Sequence, residues 1–283
     1  MKAIITRWAA LLSFALLATA CSDDAATGAS KEDASGASEK KTIVIGTTVG
    51  DFGDMVKEFI QPEMAKDGYT IKLVEFTDYV QPNRALAEGS IDINVFQHKP
   101  YLDAFKTSNN LDLVELFQVP TGPLGVYTGK GKSLDELGKR KLTFSVANDP
   151  SNFARTLMML DEMGIITLNE GIDQLKASKR DIKQFNYEVE LIELEAAQIP
   201  RSRDDVDFAI IPGNYAASSG ISFTDALYTE GGFTFINWAA IKRSDLGRPW
   251  VEAVENAYNS EAFKAYAAKR FAGYKYPQIW DKE

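Results

Sequence analysis

From Thr42 onward, short apolar runs alternate with stretches of helical spacing, and few folds accept that order. The runs TIVIGTT (42–48), TIKLVEF (70–76), IDINVF (91–96), KLTFSV (141–146), VELIEL (189–194) and DFAIIP (207–212) are rich in Ile, Val and Phe. Their length and composition predict strands that are mostly buried. Residues 52–66, 80–88, 152–163 and 248–269 carry apolar side chains at helical spacing, which predicts helices that bury one face. The order is that of an α/β fold. Two longer extended passages interrupt it, LDLVELFQVP to LGVYTGK (111–130) and FTFINWAAIK (233–242). A chain that leaves one α/β lobe, builds a second and returns needs two such passages. We therefore expect lobe I at 42–127 plus 238–283, lobe II at 128–237, and a ligand cleft between the lobes.

The segment before Thr42 has other chemistry. Lys2 and Arg7 precede the apolar run WAALLSFALLATA, which ends in small residues at Cys21; this is the pattern of an export signal over residues 1–20. The run is shorter than the ~20 apolar residues of a membrane-spanning helix. Cys21 is the only cysteine, so no disulfide can form within the chain. LATAC resembles a bacterial lipobox, in which the cysteine becomes the first mature residue and carries lipid. Residues 21–41 are small, polar and charged, without aromatic side chains. They cannot bury a core and are expected to form a lipidated flexible tether. The expected location is the bacterial cell envelope, anchored by lipid and facing the periplasm or the exterior.

Composition argues against several classes of function. The formal net charge of −9 becomes more negative once Lys2 and Arg7 are removed, a poor basis for holding phosphate backbones. Nucleic acid is not an expected partner. GKGKS (129–133) departs from a phosphate-binding loop, because Val126 stands where that motif requires its first glycine. With one histidine and no free thiol in the mature chain, the usual metal clusters and nucleophilic triads lack parts. No metal, cofactor or enzymatic activity is expected.

The lone histidine lies in NVFQHKPYL (94–102). If IDINVF is a strand, Phe96 and His98 alternate onto one side beyond its carboxyl end, and Pro100 starts a helix carrying Tyr101 in its first turn. Three rings then meet where open α/β sheets usually bind small ligands. The same spacing also fits a core aromatic cluster with a hydrogen-bonded histidine.

Four blocks, FTDYVQPNRALAEGSIDINVFQHKPYL (76–102), VANDPSNFAR (146–155), ELEAAQIPRSRDDVDFAIIPGNYAASSG (193–220) and INW (236–238), closely resemble the methionine-binding lipoproteins of ABC importers, the NlpA family. The resemblance runs from about Thr42 to the C-terminus. It implies the periplasmic-binding-protein fold, with two lobes closing over an amino acid that is passed to a permease and its ATPase. On this reading Arg155 pairs with the ligand carboxylate, and Asn148, Asn214 and Asn237 hold its other backbone polar groups. Asp149 or Ser151 caps the helix that carries Arg155. Tyr79, Phe96, His98 and Tyr101 wall the side-chain slot, with a neutral His98 directing a hydrogen bond. The chain has TVGDFGDM (48–55) and Val95 where the family commonly has a PGPHAE-like turn and an aromatic residue. Another apolar amino acid, D-methionine or a methionine-containing dipeptide therefore stands beside methionine as ligand, and an adhesin or scaffold lipoprotein stands as a further alternative.

Overall fold

Residues 40–281 are described by the structure, a computed structural model. The export signal, Cys21 and the tether up to Glu39 lie outside the described residues. Lobe I opens with β1 (Thr42–Thr48), α1 (Asp51–Met55), one π-helical turn (Val56–Ile60), α2 (Gln61–Lys66) and β2 (Thr70–Phe76). It continues with α3 (Gln81–Glu88), β3 (Ile93–His98), α4 (Lys99–Asn109) and β4 (Leu113–Val119). Lobe II contains β5 (Gly125–Thr128), β6 (Leu142–Ala147), α5 (Pro150–Glu162), the side hairpin β7 (Ile166–Leu168) and β8 (Ile182–Phe185), β9 (Val189–Leu194), β10 (Phe208–Ile211), α6 (Gly213–Ser218) and β11 (Tyr228–Thr229). The chain then returns to lobe I through β12 (Asn237–Lys242), α7 (Pro249–Asn259) and α8 (Glu261–Arg270).

Each lobe is a five-stranded sheet, in the orders β2-β1-β3-β12-β4 and β11-β5-β10-β6-β9. In the first, β1 is parallel to β2 and β3, while β12 is antiparallel to both its neighbours. In the second, β6 is parallel to β9 and β10, with β5 antiparallel. Both central strands, β3 and β10, are buried along their whole length. In lobe I, Ile43, Ile45, Ile93 and Val95 pack with Phe52, Val254 and Phe263. In lobe II, Phe144 and Phe208 pack with Leu157 and Leu160. Complete burial of one such side chain contributes about 1.5–3 kcal/mol, so each lobe has a core of its own.

Proline marks the helix starts. Pro82, Pro100, Pro150 and Pro249 all lie in the first turn of a helix, where a missing N–H leaves no bond unmade. Pro62 instead lies inside the continuous helical run 51–66. It cannot donate to the carbonyl of Glu58, and the preceding turn widens until Gln61 N–H donates to Val56 O, so the helix expected at 52–66 contains a π-turn.

Three boundaries differ from expectation. The strand expected at 91–96 runs from Ile93 to His98; Asp92, just before it, donates its N–H to Val44 O and takes Val44 N–H on its carboxylate, both at 2.8 Å. The helix expected at 248–269 is broken at Ser260, whose extended backbone ends α7 and whose side chain accepts from Phe263 N–H to cap α8. The expected lobe boundary after residue 127 falls inside β5, which pairs with β10 and β11. The outward passage is therefore 120–124. It does not run alone: Thr121 and Lys275 exchange two backbone hydrogen bonds of 2.9 Å, laying the C-terminal segment against it.

Candidate ligand site

A cavity with about 370 Å³ of space free of protein atoms, part of it open to solvent, lies between the lobes. Lobe I contributes the aromatic wall. His98, last in β3, caps α4 by accepting from Tyr101 N–H through Nδ1 at 3.1 Å. Phe96 is two residues earlier on the same strand face, and Tyr101 is in the first helical turn. Ring centroids are 6.1 Å apart for Tyr79 and Phe96, 5.9 Å for Tyr79 and Tyr101, and 6.0 Å for Phe96 and Tyr101. Tyr101 Oη donates to Tyr79 O at 2.8 Å, tying the loop after β2 to α4.

With Nδ1 accepting, the His98 proton is assigned to Nε2, which donates to Asn152 Oδ1 across the cleft at 3.1 Å. Burial, and then the neighbouring Arg155 charge, lower the imidazole to about 3. His98 is therefore a neutral donor at physiological pH.

Lobe II contributes the polar side. Asp149 caps α5 by accepting from Asn152 N–H at 2.9 Å. One turn further, Arg155 is buried with its guanidinium 4.9 Å from the Phe235 ring centre. The guanidinium expected to pair with the ligand carboxylate already has one edge in use. Nε donates to Glu230 Oε2 at 2.7 Å, and Nη2 donates to Glu230 Oε1. Nη1 reaches Asn152 Oδ1 at 3.4 Å. Burial pushes the Glu230 carboxyl up, but Arg155, Lys275 and the Leu124 N–H outweigh it and hold the group below its usual range.

Asn214, in the first turn of α6, accepts from Tyr79 Oη at 2.7 Å. Asn237 opens β12 with its backbone N–H on Thr121 Oγ1 at 2.8 Å and its Nδ2 on Phe96 O at 3.0 Å. The floor is backbone: a Cβ on Gly213 would lie 2.2 Å from the carbonyl oxygen of Gly122, so α6 and the outward passage approach this closely only as glycines.

Seven of the eight candidate residues thus line the cavity, namely Tyr79, Phe96, His98, Tyr101, Arg155, Asn214 and Asn237. Asn148 does not. Its side chain is exposed and donates to Glu195 at 3.1 Å, beside a separate acidic depression that also includes Asp78 and Asp149. The backbone turns away at Asp149, and Asn152 takes the position facing His98. Asn152 is three residues before Arg155, a spacing that puts both on one helix face and could have marked it. Phe52, from the departing TVGDFGDM stretch, also lines the cavity. Glu230 had no periodic signal; only the fold brings it to Arg155. Among the described residues no group of His, Cys, Asp and Glu is arranged to hold a metal ion.

An aromatic slot joined to a buried guanidinium and amide side chains suits a small zwitterion with an apolar side chain. Comparison with known proteins narrows the reading. Residues 43–279 match the NlpA lipoprotein family over nearly all of the described chain. The chain belongs to the NlpA lipoprotein family. It is 35% identical over 235 residues to the D-methionine-binding lipoprotein MetQ of Salmonella typhi, covering 82% of this chain and 86% of that one. Among solved structures, a nutrient binding protein from Burkholderia cenocepacia bound to methionine superposes with a TM-score of 0.78 at 35% identity, covering 83% and 99% of the two chains. An ABC transporter periplasmic substrate-binding protein from Coxiella burnetii superposes with a TM-score of 0.77 at 34% identity, covering 83% and 99%. The fold of this NlpA member is that of two-lobed substrate-binding proteins.

Proposed function

We propose that this protein is the lipid-anchored, extracytoplasmic binding component of an ABC importer, and that it captures methionine in the cavity and delivers it to a permease and its ATPase. The observation that carries the reading is the joining of two unlike surfaces in one small buried space: the Tyr79, Phe96 and Tyr101 rings, and the Arg155 guanidinium with Asn152, Asn214 and Asn237. Rings favour a thioether by roughly 0.3–1.5 kcal/mol per contact. The open edge of Arg155 is the partner for the α-carboxylate. With its Nδ2 held by Phe96 O, Asn237 is left with its Oδ1 as acceptor for the ammonium. The names of relatives such as that from Salmonella typhi support D-methionine as a second reading, since the same groups can hold either enantiomer.

Calorimetric titration with L-methionine, D-methionine, leucine and alanine tests the assignment. A specific ligand at 100 times its Kd also stabilises the fold by about 2.7 kcal/mol. Arg155→Lys cannot bridge Glu230 and a carboxylate together, so it should weaken every amino acid without changing their order. Phe96→Ala removes slot wall and should penalise methionine by about 1.5–3 kcal/mol but alanine far less. Unchanged methionine binding by Arg155→Lys, or equal losses for all ligands with Phe96→Ala, would overturn the clamp and slot.

A further inference from the structure

The Arg155–Glu230 pair poses an electrostatic problem for a site that takes a carboxylate. Glu230 is buried and neutralises the guanidinium through two hydrogen bonds. A neutral ion pair offers an incoming anion little, while the anion still loses its hydration. His98 adds no charge. The charge that remains comes from another part of the chain: Lys275 Nζ lies 3.5 Å from Glu230 Oε1 and donates to Gly231 O at 3.0 Å. Its side chain is only 15% exposed, so solvent screens it weakly. Its backbone is held by the paired bonds to Thr121, and Thr121 itself lines the cavity. Glu162 is nearby but exposed, and its charge is screened.

We propose that Lys275 is a positioning residue that determines selectivity for carboxylate ligands: its ammonium offsets the charge of Glu230, leaving the Arg155 guanidinium one uncompensated positive charge for a ligand carboxylate. The inference rests on the reading of Arg155 as the carboxylate partner. Lys275 does not touch the cavity and acts through Glu230. The buried group Arg155, Glu230 and Lys275 carries one net positive charge, and the bound carboxylate brings it to neutrality. The C-terminal segment is thereby part of the binding apparatus, and its pairing with the outward passage puts this charge where the lobes meet.

The test uses the whole mature protein and two probes, methionine and methioninamide, which lacks the carboxylate. Lys275→Met should weaken methionine by roughly ten- to a hundredfold while changing methioninamide by less than about threefold. Lys275→Arg should retain most of the affinity. The double variant Glu230→Gln with Lys275→Met removes one charge of each sign and restores the net charge; it should bind methionine at least about fivefold more tightly than Lys275→Met alone. A merely structural role predicts the opposite, since the second substitution removes further bonds. Unchanged methionine affinity in Lys275→Met, equal losses for the two probes, or a double variant no tighter than the single one would overturn the inference. A parent protein that binds no α-amino acid would instead overturn the reading of the cavity, and this inference with it. Thermal unfolding of each variant without ligand separates loss of fold from loss of binding.

Discussion

Two buried titratable groups near the cavity oppose one another as pH changes. His98 is lowered to about 3 by burial and by the Arg155 charge, with Asn152 and Glu230 acting the other way. Asp51, fully buried beside Asp54 and hydrogen-bonded by Phe52 N–H and Tyr274 Oη, is raised to about 7, chiefly by burial. For His98 the unfolded chain takes up the proton first, so its contribution is present above ~6.5 and is lost as pH falls towards 3. For Asp51 the folded state takes up the proton first. Its contribution is present below ~4 and is lost as pH rises through 7. Between pH 5 and 6.5 the two slopes, each about 1.4 kcal/mol per pH unit, oppose each other. Urea unfolding across this range should therefore show a shallow dependence in the parent. His98→Asn should become more stable with acid relative to the parent, and Asp51→Asn less stable. Parallel curves for all three proteins would contradict the environments described for the two groups.

At the scale of elements, punctuation and packing differ in how far local residues foretell them. The prolines that start α3, α4, α5 and α7 and the Ile- and Val-rich strands are local chemistry, and β1, β2 and β9 occur where the sequence places them. β3 is displaced by two residues, and its approach is fixed by Asp92, whose carboxylate takes the N–H of Val44, a partner 48 residues away. The same strand buries Asn94 and Gln97, which a strand rule would place in water. They bond Asn83 of α3 in a closed set at 2.7–2.9 Å, which removes the cost of leaving buried amides unpaired. The break between α7 and α8 has a local cause with a measurable effect. Ser260 Oγ accepts from Phe263 N–H at 3.1 Å, and Ser260→Ala should cost about 1 kcal/mol, read as a lower denaturation midpoint with an unchanged slope. A change below ~0.3 kcal/mol would mean that water caps the helix as well as the serine does.

Over the whole molecule, bonds between the lobes hold the cavity shut in this structure. Tyr79 Oη donates to Asn214 Oδ1, His98 Nε2 to Asn152 Oδ1, and Tyr215 Oη to Thr77 O at 3.3 Å. Each contributes about 1 kcal/mol net, so a few such bonds leave opening within reach and let a ligand that touches both lobes bias it. The passages between the lobes are 120–124 and the chain after β11, the places for a hinge. Small-angle scattering should show a smaller radius of gyration when methionine is added. An unchanged radius would mean that the closed form predominates without ligand, or that the passages do not hinge.

Alternation of strand and helix, two lobes, and the aromatic face of NVFQHKPYL were legible in the residues alone, because periodicity, helix-start prolines and strand alternation act over a few positions. Arg155 stood out through its match to the family blocks, and its place in the second turn after the Asp149 cap followed from local helix rules. What Arg155 does with its charge was decided only by the tertiary structure. Glu230 is 75 residues away in sequence and Lys275 lies in a C-terminal segment paired with the outward passage; neither carries a local pattern. The presence of Asn152 rather than Asn148 in the cavity has the same origin, since Asn148 precedes the extended Asp149 cap and faces Glu195, whereas Asn152 lies in the first turn of α5 and faces His98. Local propensities set where elements begin and end, whereas the balance of buried charge depends on groups brought within a few ångströms by the packing of whole lobes.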